Sequence, residues 1–131
     1  MPFINISLAG TSLSEQQKQQ LFDETTRLMS EVLHKNPDLT SVRIDEFSSH
    51  NWAIARQPVM SRSDTAVHMD IKVTTGTNSD AEKAEMIARG MNMLKTIIGN
   101  TPEASYIVIH DVAAGSWGYN GQTQKARADN I

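Results

Sequence analysis

Hydrophobic and polar positions alternate from the start of the chain. Ile4, Ile6 and Leu8 face one way, and Phe3, Asn5 and Ser7 the other. A period of two over residues 2–8 predicts a half-buried strand. Gly10-Thr11-Ser12 breaks it, and Ser14-Glu15-Gln16-Gln17 has the spacing of a capping box. The period then changes. Leu21, Phe22, Leu28, Met29, Val32 and Leu33 recur at helical spacing and predict a helix to about His34, stopped by Asn36-Pro37-Asp38. Residues 41–47 read as a second strand, with Val42 and Ile44 turned towards the helix. Residues 48–57 read as a polar loop holding Trp52, and 58–64 as a linker.

The same order then restarts. Val67, Met69, Ile71 and Val73 alternate with His68, Asp70 and Lys72, and Thr74-Thr75-Gly76-Thr77 ends that strand. Ser79-Asp80-Ala81-Glu82 is a second capping box. The helix it opens runs to about Ile98 and carries Ile87, Met91, Leu94 and Ile98. Asn100-Thr101-Pro102 stops it. Residues 106–112 form a further strand, 115–121 a glycine-rich turn or hairpin, and the tail from Gln122 is polar and expected to be loose.

A single shift superimposes the halves without a gap. It carries Ile6 to Ile71, Ser14 to Ser79, Pro37 to Pro102, Ile44 to Ile109 and Trp52 to Trp117. Agreement at cap, stripe, proline and tryptophan together implies a duplicated β-α-β unit. The expected fold is α+β: a four-stranded mixed sheet with two helices on one face, each unit holding two parallel strands and a right-handed crossover. The boundaries read as repeat one over about 2–57, a linker over about 58–65, repeat two over about 66–122 and a polar tail over 123–131. The uncovered face, with Phe3, Arg43, Tyr106 and Val108, is expected to be buried by oligomerisation.

At 131 residues the chain has room for a real core. A net charge of −3 with signs interspersed argues against nucleic acid as the main partner. There is no cysteine, and so no disulfide or thiolate chemistry. No apolar run reads as a membrane span or secretory signal, so a cytoplasmic protein is expected. His34, His50, His68 and His110 lack ligand spacing, and no metal site is expected. Gly115, Gly118 and Gly121 do not open a helix as a dinucleotide fingerprint would, and no serine nucleophile elbow is present.

The candidate chemistry sits at Met1-Pro2. Loss of Met1 would leave Pro2 as a secondary amine on a rigid ring, a candidate general base. Alternatively, proline there merely permits methionine removal and starts a strand. An α-amine titrates near ~7.7–8.0, and an apolar pocket and a nearby cation both lower that value. Phe3, Trp52 or Trp117 would supply the apolar wall and Arg43 the cation. Arg43 otherwise pairs with Asp45 or Glu46, and the tryptophans otherwise pack between subunits.

A β-α-β unit that opens with Met-Pro, here in tandem, resembles the tautomerase superfamily typified by 4-oxalocrotonate tautomerase. In the first half the resemblance rests on Met1-Pro2-Phe3-Ile4-Asn5-Ile6, Glu15-Gln16-Gln17-Lys18 and Leu39-Thr40-Ser41-Val42-Arg43. In the second it rests on Asp111-Val112-Ala113-Ala114-Gly115-Ser116-Trp117-Gly118. It implies a cofactor-independent keto-enol tautomerase acting on a small unsaturated 2-hydroxy or 2-keto acid, a carboxylate, assembled as a homotrimer. Pro2 becomes the acid/base, Arg43 the binder of carboxylate or carbonyl, and Trp117, Tyr106 and Trp52 substrate-binding residues. Tyr106 takes the arginine's place in the second half, judged by its spacing to Trp117. Val67 stands where Pro2 would recur, so one base per chain is expected. Related dehalogenases and decarboxylases use arginines where this chain has Thr74-Thr75-Gly76-Thr77. Those activities remain an alternative, with Arg56, Arg62 or Arg89 compensating, as does a trimeric binding scaffold without activity.

Overall fold

The computed structural model describes residues 2–129. Met1, whose removal the Pro2 mechanism requires, and the last two residues of the tail lie outside the described residues. The elements in order are β1 (Phe3–Ala9), α1 (Glu15–Leu33), β2 (Ser41–Glu46), β3 (Ala53–Ile54), β4 (Gln57–Pro58), β5 (Ala66–Thr74), α2 (Asp80–Ile98), β6 (Tyr106–Val112), β7 (Gly118–Tyr119), β8 (Gln122–Thr123) and α3 (Gln124–Asp129). Short 3₁₀ turns lie at Pro37–Leu39 and Val59–Ser61.

Both capping boxes close. The Ser14 hydroxyl accepts from the Gln17 N–H while the Gln17 side chain accepts from the Ser14 N–H, and Ser79 and Glu82 do the same at α2. Each such cap contributes about 1 kcal/mol by satisfying helix-terminal donors that have no intrahelical partner. Both helices end where expected.

The main sheet runs β2-β1-β5-β6. Pairs β1/β2 and β5/β6 are parallel, as two crossover units require, and the central pair β1/β5 is antiparallel. Ile4, Ile6, Leu8, Val67, Met69, Ile71 and Val73 point into one core beneath the helices, with Val42 and Ile44 at its edge. The duplication is visible in the elements themselves: α1 and α2, β2 and β6, and the two small hairpins β3/β4 and β7/β8 all begin at equivalent positions.

Four expectations change. Ile87 is 41% exposed, and Met86, Gly90, Met93 and Leu94 are the residues α2 buries. The polar loop contains the hairpin β3/β4, whose second strand begins the segment read as a linker. That segment is packed: Val59 is 1% exposed, and a Cβ on Gly10 (φ +113°) would meet Asp64 O at 2.9 Å. The tail from Gln122 forms β8 and a third helix, α3, held by Gln124 N–H to Trp117 O at 2.9 Å and by Arg127 stacked 3.8 Å from the Tyr119 ring. The open sheet face is mainly polar. Its rows read Arg43–Asn5–Asp70–Val108 and Asp45–Ser7–His68–Tyr106, because the apolar residues of each strand have gone to the helix side.

The two hairpins turn alike on different residues. Asn120 and Gly121 have φ of 50° and 82°, a mirror-image turn that suits Asn-Gly. Ala55 and Arg56 occupy the same turn in the first half, at 51° and 68°. Left-handed backbone costs an ordinary residue about 1–2 kcal/mol. Part of the relief from glycine is offset by its greater freedom when unfolded. The double substitution Ala55→Asn/Arg56→Gly is therefore expected to stabilise the chain by about 1 kcal/mol, read as a higher thermal midpoint. An unchanged or lower midpoint would show that the turn is not strained.

Candidate active site

Pro2 is buried at the start of β1, and its carbonyl accepts the Ser41 N–H at 3.3 Å. One residue on, Phe3 lies opposite Lys72 of β5. The antiparallel pairing therefore brings the end of β5, and the hairpin beyond β6, to the beginning of β1. There the Trp117 indole Nε1 donates to Thr74 Oγ1 at 3.1 Å. The Trp117 hairpin, carried by the second repeat, thus lies at the end of the sheet where the first repeat's β1 begins. Gln124, Lys125 and Arg127 of α3 pin it: Lys125 N–H reaches Ala114 O at 2.9 Å, and Arg127 Nη2 reaches Tyr119 O at 3.0 Å.

Two cations flank Phe3. Arg43 Cζ lies 5.5 Å and Lys72 Nζ 5.8 Å from its ring centroid. Arg43 faces Asn5 across β1/β2, is more than half exposed, and gives Nε to Asp45 Oδ2 at 3.2 Å. A weak exposed ion pair of this kind holds a guanidinium in position without consuming it. Both cations lie near the residue that follows Pro2. Arg43 is the cation offered by the sequence, with its binding role implied by the family resemblance; Lys72 and Thr74 are not among the sequence candidates. Lys72 stood on the polar face of its strand, but nothing in the chain said that β5 would lie against β1.

Trp52 and Tyr106 are at the other end of the sheet. Ala9 pairs with Ala66, and Trp52 packs on the cluster Ala9, Val59 and Ala66. Tyr106 pairs with His68, opposite Ser7 on the far side of β5. From Phe3 to Ala9 a strand spans ~20 Å, so neither aromatic reaches Pro2 of its own chain. The strand start that Trp52 covers is that of Val67. Each repeat sends its hairpin to the end of the sheet where the other's first strand begins.

Between the two ends the open face carries a charged network. Asp70 Oδ1 meets His110 Nε2 at 2.8 Å and His68 Nε2 at 3.0 Å. Burial alone would raise the Asp70 pKa, but hydrogen bonds from His110 and His68 outweigh it and hold the carboxyl below its ordinary value. A bidentate Arg62 lowers Asp64, and Arg27 and Arg89 lower Glu31. A carboxyl with a lower pKa folded than unfolded stabilises the fold above the unfolded value, and that contribution disappears as pH falls through the folded value. The urea midpoint is expected to be flat from about pH 7 to 5 and to drop below about pH 4, with a shallower drop in Asp70→Asn. A midpoint independent of pH down to about 3 would contradict these couplings.

A family model described as tautomerase enzyme matches residues 2–61 and, again, residues 68–127. The chain belongs to the tautomerase family. Each copy of the family unit coincides with one β-α-β repeat and its hairpin, so this tautomerase is a tandem member and an enzyme of the isomerase class. Probable tautomerase K2 of Dickeya dadantii (strain 3937) is 39% identical over 66 residues, which is 50% of this chain and 98% of that protein. A wild-type fused 4-OT symmetric trimer superimposes with a TM-score of 0.84 at 13% identity, over 95% of this chain and 98% of that one. Pt0534, inactivated by 2-oxo-3-pentynoate, does so with 0.84 at 16%, again over 95% and 98%. These structural likenesses fix the fold of the tandem tautomerase.

Proposed function

We propose that this tautomerase interconverts the enol and keto forms of a small unsaturated 2-hydroxy or 2-keto acid, without a cofactor, with Pro2 as acid and base once Met1 has been removed. The observation that supports the reading is a buried proline at the start of β1, with Arg43 and Lys72 near the adjoining phenyl ring and Trp117 bonded to Thr74 at the same end of the sheet. Burial and the two cations favour the neutral amine. That amine takes the proton of the enol hydroxyl, the electrons move to form the carbonyl, and the same nitrogen returns the proton to carbon. Arg43 receives the carboxylate or the carbonyl oxygen, a task suited to its planar fork of donors. Trp117 forms the apolar wall. The working assembly in this reading is a homotrimer in the cytoplasm. That Pt0534 is inactivated by 2-oxo-3-pentynoate and that a fused 4-OT is a trimer are consistent with the reading.

The test is ketonisation of a phenylenolpyruvate-type enol by protein whose mass shows the loss of Met1, beside Pro2→Ala. Equal rates would rule out proline catalysis. Release of halide or carbon dioxide from haloacrylate or oxo-acid substrates would instead favour the dehalogenase or decarboxylase reading, and inertness towards all of them the scaffold reading.

A further inference from the structure

The seam between the end of α1 and the turn after β5 is charged, and its counterpart in the other repeat is not. It lies at the level of Pro2. β2 starts beside β1, with Ser41 N–H on Pro2 O, so α1 must end there; β5 ends there too, because Phe3 pairs with Lys72. Three side-chain contacts cross this seam. Asn78 Nδ2 donates to Leu33 O at 2.9 Å, His34 Nε2 meets Glu82 Oε2 at 3.1 Å, and Lys35 Nζ donates to Thr77 Oγ1 at 2.9 Å. The shift that superimposes the repeats exchanges His34, Lys35, Thr77, Asn78 and Glu82 for Gly99, Asn100, Ser12, Leu13 and Gln17. None of those five is ionisable. The second seam is closed by buried Leu13 and by Gln17 Nε2 on Ile97 O at 3.1 Å. His34 even keeps a left-handed backbone, φ 60°, where the other repeat has a glycine at φ 105°. The charged version of the seam accompanies the proline, and the neutral version accompanies Val67.

Within the seam Lys35 stands apart. It is half-buried, and that burial lowers its pKa, the charge of Glu82 offsetting only part of the effect. Among the described residues no carboxylate lies within ion-pair distance of it. Its ammonium is given instead to the Thr77 hydroxyl. Thr77 Oγ1 in turn donates to Thr74 O at 2.6 Å, and Thr74 Oγ1 accepts the Trp117 indole. Thr75 N–H on Val112 O, at 2.9 Å, ties the same turn to β6. The bonds thus run from the end of α1, in the first repeat, to Trp117 of the second, through Thr77 and Thr74 alone.

We propose that Lys35 is a positioning residue for the candidate active site: through Thr77 it fixes Thr74, and through Thr74 the indole of Trp117. Its effect on turnover rests on the Pro2 reading; its hold on Trp117 does not.

The chain has two tryptophans, so Trp52→Phe leaves Trp117 as the sole indole reporter. In that background Lys35→Asn, which copies the residue the other repeat already accommodates, and Thr77→Val should each increase quenching of Trp117 by acrylamide. Combining them should add nothing to either alone, because both cut one chain of bonds. Thr77→Ser keeps the hydroxyl and should quench as its parent does. With both tryptophans in place, Lys35→Asn should lower kcat/KM for enol ketonisation about tenfold, as loss of one charge-assisted contact does. The loss should fall on KM rather than kcat, with the pH profile unmoved. Quenching unchanged by Lys35→Asn, or additive with Thr77→Val, would overturn the positioning role. So would a urea midpoint that drops while Trp117 stays protected, which would make the seam structural alone. A shifted pH profile would make Lys35 a charge felt by the amine itself and overturn the role equally. Quenching requires no turnover, so an inert protein would remove the Pro2 reading and still answer for Lys35.

Discussion

Pro2→Ala is expected to lower kcat/KM for enol ketonisation by about 10²–10⁴, the range that a positioned general acid/base supplies. The lower end applies where the substituted alanine still offers a primary amine at the same place, having lost the ring that fixes the lone pair. The upper end applies to protein that keeps Met1 or is acylated at its terminus, since the nitrogen is then an amide. The pH profile separates these cases. A free amine must be unprotonated to act as base, so kcat/KM for wild type rises with pH through the amine's pKa. Burial of Pro2, and any charge that Arg43 and Lys72 place near it, would move that rise down from the value of a free proline amine. Lys72→Gln should move it back up. A profile unchanged in both Pro2→Ala and Lys72→Gln would remove the amine from the mechanism.

Gly118→Ala carries the second large effect. A Cβ at Gly118 would collide with the carbonyl group of Gln122 and would meet Thr123 Cα at 2.7 Å. Both are backbone atoms, so the hairpin must open to admit it. Gly118 adjoins Trp117, whose indole depends on Thr74 and whose carbonyl holds Gln124. Opening the hairpin therefore displaces Trp117, the proposed apolar wall, while leaving the four-stranded core beneath the helices in place. Activity is expected to fall at least tenfold, about 1.4 kcal/mol of transition-state stabilisation, with the urea midpoint far less affected. Ala53 occupies the equivalent place in the first hairpin, opposite Pro58, so Ala53→Gly serves as the control and should leave turnover unaltered. If Gly118→Ala matches wild type in turnover, the hairpin is not part of the site.

Much of this architecture could be read from the chain, for identifiable reasons. Ser14 and Ser79 announced both helices because a capping box is a local device, complete within four residues. The duplication announced two parallel strand pairs because each helix must return its chain to the same sheet. The rotation of α2 was misread at Ile87. Met86 and Ile87 are adjacent and both apolar, and an apolar run that wide admits two stripes. Only the contact of Gly90 and Met93 with the core selects one. The α3 helix was hidden because its anchors are backbone carbonyls of the hairpin and one Arg127–Tyr119 stack, none of which composition reveals. At the site, Pro2, Arg43 and Trp117 were legible as residue types. The division of Trp117 from Trp52 was not, because it depends on β1 lying antiparallel to β5, a long-range choice that no short motif records.

The exchange of hairpins also bears on how the chain can be taken apart. Residues 2–61 contain the candidate base and lack its proposed apolar wall; residues 66–129 contain that wall, Trp117, and lack the base. Each half is a whole family unit by pattern and half of a workplace by geometry. A fragment cut between them would fold around a missing neighbour rather than an independent site, so the unit on which change in this protein acts is the pair. On the proposed function, a substitution near residue 117 acts with the first few residues of the chain.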